Sequence, residues 1–296
     1  MKKLIILLTL SLVLVPVFAQ EESAGPELVT NTFNAATLID NQTVASPYKG
    51  GLEMQIQHRF SLIENIKNLY GIYGAANTRL GLNYGITDRL MLGVGTTKDY
   101  KLQDIQWKYA ILRQTADNSM PVSLSYYGNM VIDARADENF GPEASYKELH
   151  RLSYFTQLIV ARKFTEKLSL QVAPSFLYNN SVPEYYTNNL PDTTTIHTGY
   201  KNMNFGLHVG GRYNVVGNHS LMLEYDQLLT KQEDLSDEDS PKPNLAFGWE
   251  INTPTHAFQV FVANYSSIIN QYNLLYNKND LSNGDFLVGF NITVRF

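Results

Sequence analysis

The sequence predicts an all-β fold: a transmembrane antiparallel β-barrel of about 12 strands, preceded by a cleaved signal peptide. Three observations support this prediction. Apolar residues alternate with small or polar residues along many segments, the connections between the segments alternate in length, and the chain ends on an aromatic residue, Phe296. A strand sends successive side chains to opposite faces, and the outer face of a membrane barrel contacts lipid.

The N-terminus has the pattern of a secretory signal. Lys2 and Lys3 precede an apolar run over residues 4–15, and small residues end at Ala19. The run is shorter than the roughly 20 residues that a helix needs to span a bilayer, so we expect cleavage after Ala19. The predicted division is a signal peptide at 1–19, an N-terminal periplasmic segment at 20–49 and an outer-membrane barrel at 50–296.

Composition excludes several classes of protein. The chain of 296 residues has no cysteine, which excludes disulfides, thiolate metal sites and a lipoprotein anchor. Removing Lys2 and Lys3 from 23 basic residues leaves 21 against 28 acidic residues, so nucleic acid is not an expected partner. No second apolar run is long enough for a spanning helix. The 19 tyrosines and 14 phenylalanines are typical of strands and membrane interfaces.

Five strands are predicted in the first half of the barrel. Residues 50–60 place Leu52 on the lipid face and Glu53 on the lumen face, and residues 78–86 place Leu80 outside and Arg79 inside. The outward residues of the next three strands are Leu90, Leu92 and Val94, then Ile105, Trp107, Tyr109 and Ile111, then Val122, Leu124 and Tyr126.

Seven more strands complete the prediction, at residues 152–164, 168–178, 204–213, 221–226, 245–252, 257–265 and 286–296. Segment 257–265 is apolar on both faces, so the pattern leaves its orientation open. The last strand alternates most clearly and ends on Phe296, through which we expect recognition by the barrel assembly machinery. An even strand number places both termini on the periplasmic side.

The connections support the same strand count. Long segments follow the odd strands, at residues 61–77, 133–151, 179–201, 228–242 and 266–282, and short turns such as 87–89 and 165–167 follow the even ones. Only the connection near 98–103 is short where a long one is allowed. A soluble β-sandwich also alternates apolar and polar residues, but the loop lengths and the glycine-, serine- and asparagine-rich inner face favour the barrel.

The N-terminal segment at 20–49 has two interpretations. Phe33, Leu38, Ile39 and Val44 make it more apolar than a disordered tail needs to be. A plug in the periplasmic mouth of the barrel is therefore favoured over a free tail.

One stretch resembles a known family. Residues 80–95, LGLNYGITDRLMLGVG, follow His58-Arg59-Phe60 and precede residues 107–114, WKYAILRQ. This combination resembles a Bacteroidota family of outer-membrane β-barrels known only as a domain of unknown function. The resemblance extends from about residue 33 to the C-terminus. It implies a barrel in the outer membrane, and it implies no activity, cofactor or site residue.

Charged residues are predicted to face the lumen in near balance, which favours internal ion pairs over a charge-selective pore. They are Glu53, Arg59, Arg79, Lys108, Lys163, Arg212, Glu224, Asp226, Glu250 and Arg295, with Asp104 and Asp285 completing six acids and six bases. Gly81, Gly85, Gly93 and Gly95 leave room on the inner face. We expect Arg59 and Arg79 to pack there and to reach Glu224, Asp226 and Glu250 across the barrel.

Two functions stay open: a passive channel for small solutes or ions, and a closed structural or surface-binding barrel without transport. A lipid-modifying enzyme is less expected, because no histidine is followed two residues later by serine. Such groups can also meet across strands. No catalytic residue, cofactor or metal site is predicted, and the acidic segment 232–240 lacks the glycine and spacing of a calcium loop. The expected partners are outer-membrane lipid and the assembly machinery.

Overall fold

A computed structural model describes residues 26–64, 66–69, 71–140, 143–182, 185–189, 193–197, 199–232, 235–237 and 239–296. The predicted signal peptide lies outside these residues. Twelve strands form a closed antiparallel barrel, as predicted. They are β1 (Leu52–Leu62), β2 (Asn77–Gly85), β3 (Leu90–Thr97), β4 (Leu102–Leu112), β5 (Ser123–Asp133), β6 (Leu152–Lys163), β7 (Leu168–Asn179), β10 (Met203–Val216), β11 (His219–Leu228), β12 (Asn244–Asn252), β13 (His256–Ala263) and β14 (Leu287–Arg295). Strands β8 (Tyr185–Asn189) and β9 (Thr193–His197) form a separate hairpin.

The outer wall of the barrel is apolar, because each strand turns its alternate apolar residues outward. Leu80, Phe205 and Val260 are each at least half exposed on this surface. Segment β13, whose pattern left the orientation open, turns Val260 outward and Gln259 inward. Inward Gln259 is buried at 2% exposure and hydrogen-bonds within the lumen, which fixes the register.

The two ends of the barrel differ. At the turn end, connections such as residues 217–218 between β10 and β11 are short, and β1 begins beside the C-terminus. The backbone N–H of Phe296 donates to the carbonyl of Leu52 at 2.9 Å, which closes the barrel. At the loop end, most connections are long. The chain therefore enters and leaves the barrel wall at the turn end.

Two elements at the loop end were not predicted. The connection between β7 and β10 contains the hairpin of β8 (Tyr185–Asn189) and β9 (Thr193–His197), and the connection between β13 and β14 contains helix α1 (Asn270–Tyr276). The hairpin lies in a polar loop and α1 has only seven residues, so the pattern carried no clear signal for either. The connection after β3 is a tight turn in which Tyr100 has a positive φ of 57°.

Residues 33–43, here called the inner loop, lie inside the barrel. The chain passes the β4–β5 turn, where the Val29 N–H donates to the Gln114 carbonyl at 2.8 Å. It then folds back on itself, since the Leu38 N–H donates to the Asn41 carbonyl at 2.9 Å. Ile39, at the tip, is 0% exposed. The inner loop thus enters and leaves at the turn end.

Apolar packing holds the inner loop and α1 from opposite ends. Phe33, Leu38 and Ile39 pack with Phe261 and Tyr265 in one cluster. Burying each large apolar side chain contributes roughly 1.5–3 kcal/mol. In a second cluster, α1 contributes two leucines that pack against inward residues of β6 and β7. The lumen is consequently a packed interior.

Candidate functional site in the barrel lumen

Glu224 of β11 holds the tip of the inner loop. Its carboxylate accepts the backbone N–H groups of Ile39 at 2.8 Å, Asp40 at 3.0 Å and Asn41 at 3.0 Å. The Tyr265 hydroxyl donates to the same carboxylate at 3.2 Å. Hydrogen bonds to an ionised acceptor are stronger than neutral ones, so Glu224 fixes the deepest point of the loop.

Asp40 lies at the junction of the inner loop, the wall and α1. Arg59 of β1 donates to its carboxylate at 3.3 Å, and the Asn273 amide of α1 donates to it as well. Burial raises the pKa of Asp40 to about 7, opposed by Arg59 and reinforced by the nearby Glu224 and Asp226. A carboxyl that is fully buried beside other carboxyls favours its neutral form.

Wall side chains also bind the backbone carbonyls of the inner loop. The Lys108 ammonium donates to the carbonyl of Ala36 in the loop at 3.0 Å and to that of Ala45, just after the loop, at 2.8 Å. Gln171 and Asn291 donate to other carbonyls of the loop. These contacts satisfy backbone groups that would otherwise be buried without a partner.

Glu250, Arg212 and Arg295 bind the start of the inner loop and the residues just before it. Glu250 accepts from the Asn34 amide at 2.5 Å and lies 3.9 Å from the Arg212 guanidinium. Arg212 donates to the Asn31 carbonyl at 3.0 Å, and Arg295 donates to the Asn34 carbonyl. The three residues therefore hold the N-terminal segment in place near the turn end.

The ion pair of Arg79 and Asp104 lies against the glycine-rich wall. The guanidinium donates to the carboxylate at 2.9 and 2.6 Å. Gly95 lies between the two residues, because a Cβ there would be 2.3 Å from Arg79 and 2.5 Å from Asp104. The expected packing of Arg79 against glycine is present, with Asp104 of β4 as its partner.

The predicted pairing of Arg59 and Arg79 with Glu224, Asp226 and Glu250 across the barrel is wrong. The inner loop occupies the centre of the lumen and takes the hydrogen-bonding groups that would have met there. Arg59 pairs with Asp40 of that loop instead. The position of the loop could not enter a prediction based on strand alternation alone.

The ten predicted lumen charges differ in depth. Glu53, Arg59, Arg79, Lys108, Arg212, Glu224, Asp226 and Glu250 are buried, whereas Lys163 and Arg295 are partly exposed. Lys163 pairs with Glu166 at 2.8 Å near the turn end. Glu53 accepts from Gln55 at 2.9 Å.

Three polar residues that hold the lumen together were not predicted: Asp40, Asn41 and Asn273. The amide of Asn41 donates to Asp226 at 2.7 Å, and α1 adds Gln271, which donates to Asn129 at 3.0 Å. For Asp40 and Asn41, the only sign in the sequence was that polar residues interrupt an apolar N-terminal segment. No periodic pattern in the sequence indicates that they contact α1.

The described residues contain no group of three His, Cys, Asp or Glu side chains placed to hold a metal ion. Within the same part of the chain, no helix is long and apolar enough to cross a membrane. A cavity of about 100 Å³ opens at the turn end beside Glu53, Arg295 and Phe296. It is large enough for a few water molecules.

Comparison with known proteins assigns the family. A family model described as a membrane bound beta barrel domain matches residues 33–296. The chain belongs to this family, DUF5777. The match includes the inner loop, so that loop is part of the DUF5777 domain together with the barrel. The expected resemblance to an uncharacterised membrane-barrel family is thereby confirmed. No curated protein matches the sequence.

Solved structures show which fold the DUF5777 chain shares. An outer membrane channel from Pseudomonas putida F1 has a TM-score of 0.50 at 11% identity, covering 85% of this chain and 97% of the channel. The NanC porin has a TM-score of 0.47 at 11% identity, with 83% and 98% covered. Outer membrane phospholipase A from Escherichia coli has a TM-score of 0.43 at 13% identity, with 90% and 98% covered. The similarity to the Pseudomonas putida channel shows the barrel fold.

Proposed function

We propose that this protein is an outer-membrane barrel that is closed to diffusion in its resting state. The supporting observation is the inner loop, whose tip is fully buried and bound by Glu224 through three backbone N–H groups. An open diffusion pore needs a continuous hydrated path along the lumen. Here α1 contacts the inner loop through Asn273 and Asp40, so these two elements fill the lumen from opposite ends.

The proposed orientation places the turn end in the periplasm, as expected of barrels with short periplasmic turns. Phe296 lies at this end, directly after β14, and is 66% exposed. It is accessible there to the assembly machinery. The long loops then form the external face and would provide the contact surface of a closed barrel. Origin in the Bacteroidota stays an expectation from the sequence.

Gated passage of small polar solutes or ions is the second candidate. It is favoured by the wall around the inner loop, where neutral amides such as Gln171, Gln259 and Asn291 bind loop carbonyls. Water could take over these hydrogen bonds if the loop moved, since water-mediated bonds are nearly as favourable as direct ones. The vacated lumen would then be polar and hydrated.

Planar-bilayer conductance tests the proposal. The mature chain is expected to give no steady conductance steps, and a variant lacking residues 33–43 is expected to give stepwise currents. A variant with a deletion of similar length in the acidic loop, residues 232–240, is the matched control and should behave like the mature chain. Steady conductance of the mature chain would contradict a closed resting state. Steps that appear only above a threshold voltage or with a solute would favour gating.

A further inference from the structure

Ser175, His208 and Asp226 meet inside the barrel from three neighbouring strands. The His208 Nδ1 atom lies 3.0 Å from Asp226 Oδ1, and its Nε2 atom lies 2.9 Å from Ser175 Oγ. The three residues come from β7, β10 and β11, and each is at most 5% exposed. Both separations are within the hydrogen-bonding reach required of a nucleophile and its base.

The chemistry of the three groups assigns their protons. An ionised Asp226 can only accept, so the Nδ1 atom of a neutral His208 carries the hydrogen. The Nε2 atom then has a free lone pair and accepts the Ser175 hydroxyl proton. This is the order of contacts by which an acid, an imidazole and a serine produce an alkoxide-like nucleophile. Asn41 donates to the same Asp226 oxygen and helps to hold the carboxylate.

Gln157 supplies a second, independent observation. It lies directly opposite Ser175 in the pairing of β6 with β7. Its side chain is 2% exposed, and neither amide atom has a hydrogen-bond partner among the described residues. Buried polar groups are nearly always paired. An unused amide N–H beside a serine can instead donate to the oxyanion that forms when a carbonyl is attacked.

Apolar groups surround this constellation on one side. Phe155 meets the His208 ring edge-on, with 5.6 Å between the ring centroids. Leu177 follows Ser175 on the inner face of β7, and Leu274 of α1 belongs to the same buried cluster. At Gly206 a Cβ would be 2.8 Å from Ser175 Oγ and 3.0 Å from Leu274. Helix α1 therefore covers the serine with aliphatic groups that suit an acyl chain.

We propose that Ser175 is the nucleophile of an esterase site that hydrolyses carboxylic esters when α1 moves aside. Ser175 Oγ bonds to the ester carbonyl carbon while its proton passes to His208 Nε2. The carbon–oxygen bond to the alcohol then breaks, and the alcohol leaves with that proton. Water, deprotonated by the same imidazole, releases the acid and restores the serine. Asp226 is a positioning residue for His208, and the proposal is independent of whether the barrel conducts.

A fluorophosphonate probe, which modifies activated serines, tests the site in the full mature chain. Mass spectrometry is expected to find the probe on Ser175, and labelling should be lost in Ser175→Ala and fall at least 100-fold in His208→Ala. Ser169→Ala is the matched control and should label normally. Ser169 is a buried serine on the same face of β7, and its hydroxyl has no partner among the described residues.

Further variants separate catalysis from structure. Asp226→Asn should slow labelling about 10,000-fold, the scale seen when the imidazole loses its orienting carboxylate, and Asp226→Glu should restore part of the rate. Leu274→Ala uncovers the serine and should accelerate both labelling and hydrolysis of p-nitrophenyl butyrate. Absence of labelling at Ser175 in both the full chain and Leu274→Ala would overturn the proposal. Labelling that persists in His208→Ala would do the same.

Discussion

At the scale of single residues, the ion pair of Arg79 and Asp104 is the clearest test of a dry lumen. Both side chains are at most 5% exposed. Removing one member of a buried pair leaves an uncompensated charge, which costs about 3–5 kcal/mol. A wet lumen would reduce that cost, because water would solvate the remaining carboxylate.

Arg79→Ala is therefore expected to lower the free energy of unfolding by about 3–5 kcal/mol. Denaturant unfolding of the detergent-solubilised chain measures this change. Lys278→Ala is the control: it removes a pair with Asp239 in which both side chains are over 40% exposed, and exposed pairs contribute less than about 1 kcal/mol. Equal, small effects of both variants would mean that water reaches Arg79.

Asp40 gives the lumen a dependence on pH. Its pKa is about 7 in the folded chain against an ordinary value of 3.8, so folding favours the protonated form. The stability that Asp40 contributes is complete below about pH 4 and is lost as the pH rises through 7. Arg59, Glu224, Asp226 and Tyr265 all face this carboxyl, so a variant is needed to assign the effect.

Asp40→Asn is neutral at every pH and should remove this dependence. The difference in unfolding free energy between the native chain and the variant is expected to shift by roughly 2–4 kcal/mol between pH 5 and pH 8, with the native chain losing stability. Asp239→Asn, at an exposed position, is the control. The difference in unfolding free energy between the native chain and this variant should be the same at about pH 5 and pH 8. If the native chain instead gained stability relative to Asp40→Asn above pH 7, the pH dependence would have the opposite sign. That result would contradict a buried Asp40 whose neutral form is favoured.

At the scale of elements, one carboxylate organises the inner loop. Glu224 accepts three successive backbone N–H groups. Glu224→Gln replaces an oxygen by an amide donor that faces these donors. Amide hydrogen exchange at residues 39–41 should become roughly ten- to a hundredfold faster, since each charged hydrogen bond contributes about 1.5–3 kcal/mol.

Glu53→Gln provides the control for this variant. Glu53 is also buried, and its described hydrogen bonds come from the side chains of Gln55 and Asn83. Exchange at residues 39–41 should be unchanged there. If both variants exchange alike, the carboxylate of Glu224 does not hold the loop.

The strands could be predicted far better than the elements that fill the barrel. Alternation assigns a face to every second residue, and it correctly placed Arg79 inside and Leu80 outside. It left the orientation open where both faces are apolar, as in β13. Helix α1 has seven residues, too few to reveal a period, and Glu224, which binds the tip of the inner loop, is more than 180 residues away in sequence.

The residues of the candidate sites also divide into those that strand alternation predicts and those that only the folded structure brings together. Alternation placed Asp226 inside, and His208 stands opposite it in the pairing of β10 with β11. Ser175 joins them only through the pairing of β7 with β10. A search for histidine and serine on one strand could not find a constellation assembled from three strands.

At the scale of the whole molecule, the inner loop and α1 convert a hollow wall into a packed interior. Polar side chains bind the loop backbone, and apolar clusters secure its tip. The DUF5777 family match spans both the loop and the wall. The barrel and its contents therefore form one structural unit.

The closed state requires that the inner loop lies within the barrel when the protein is in the membrane. Cysteine cross-linking measures this directly. The chain has no native cysteine, and Gln55 donates to the Thr37 hydroxyl at 3.4 Å. With a short bifunctional thiol reagent, Thr37→Cys with Gln55→Cys should give a cross-linked peptide in outer-membrane fractions. Thr37→Cys with Leu82→Cys, on the outer wall, should give none. Failure of the first pair to cross-link, with both cysteines open to a water-soluble thiol reagent, would contradict a closed lumen.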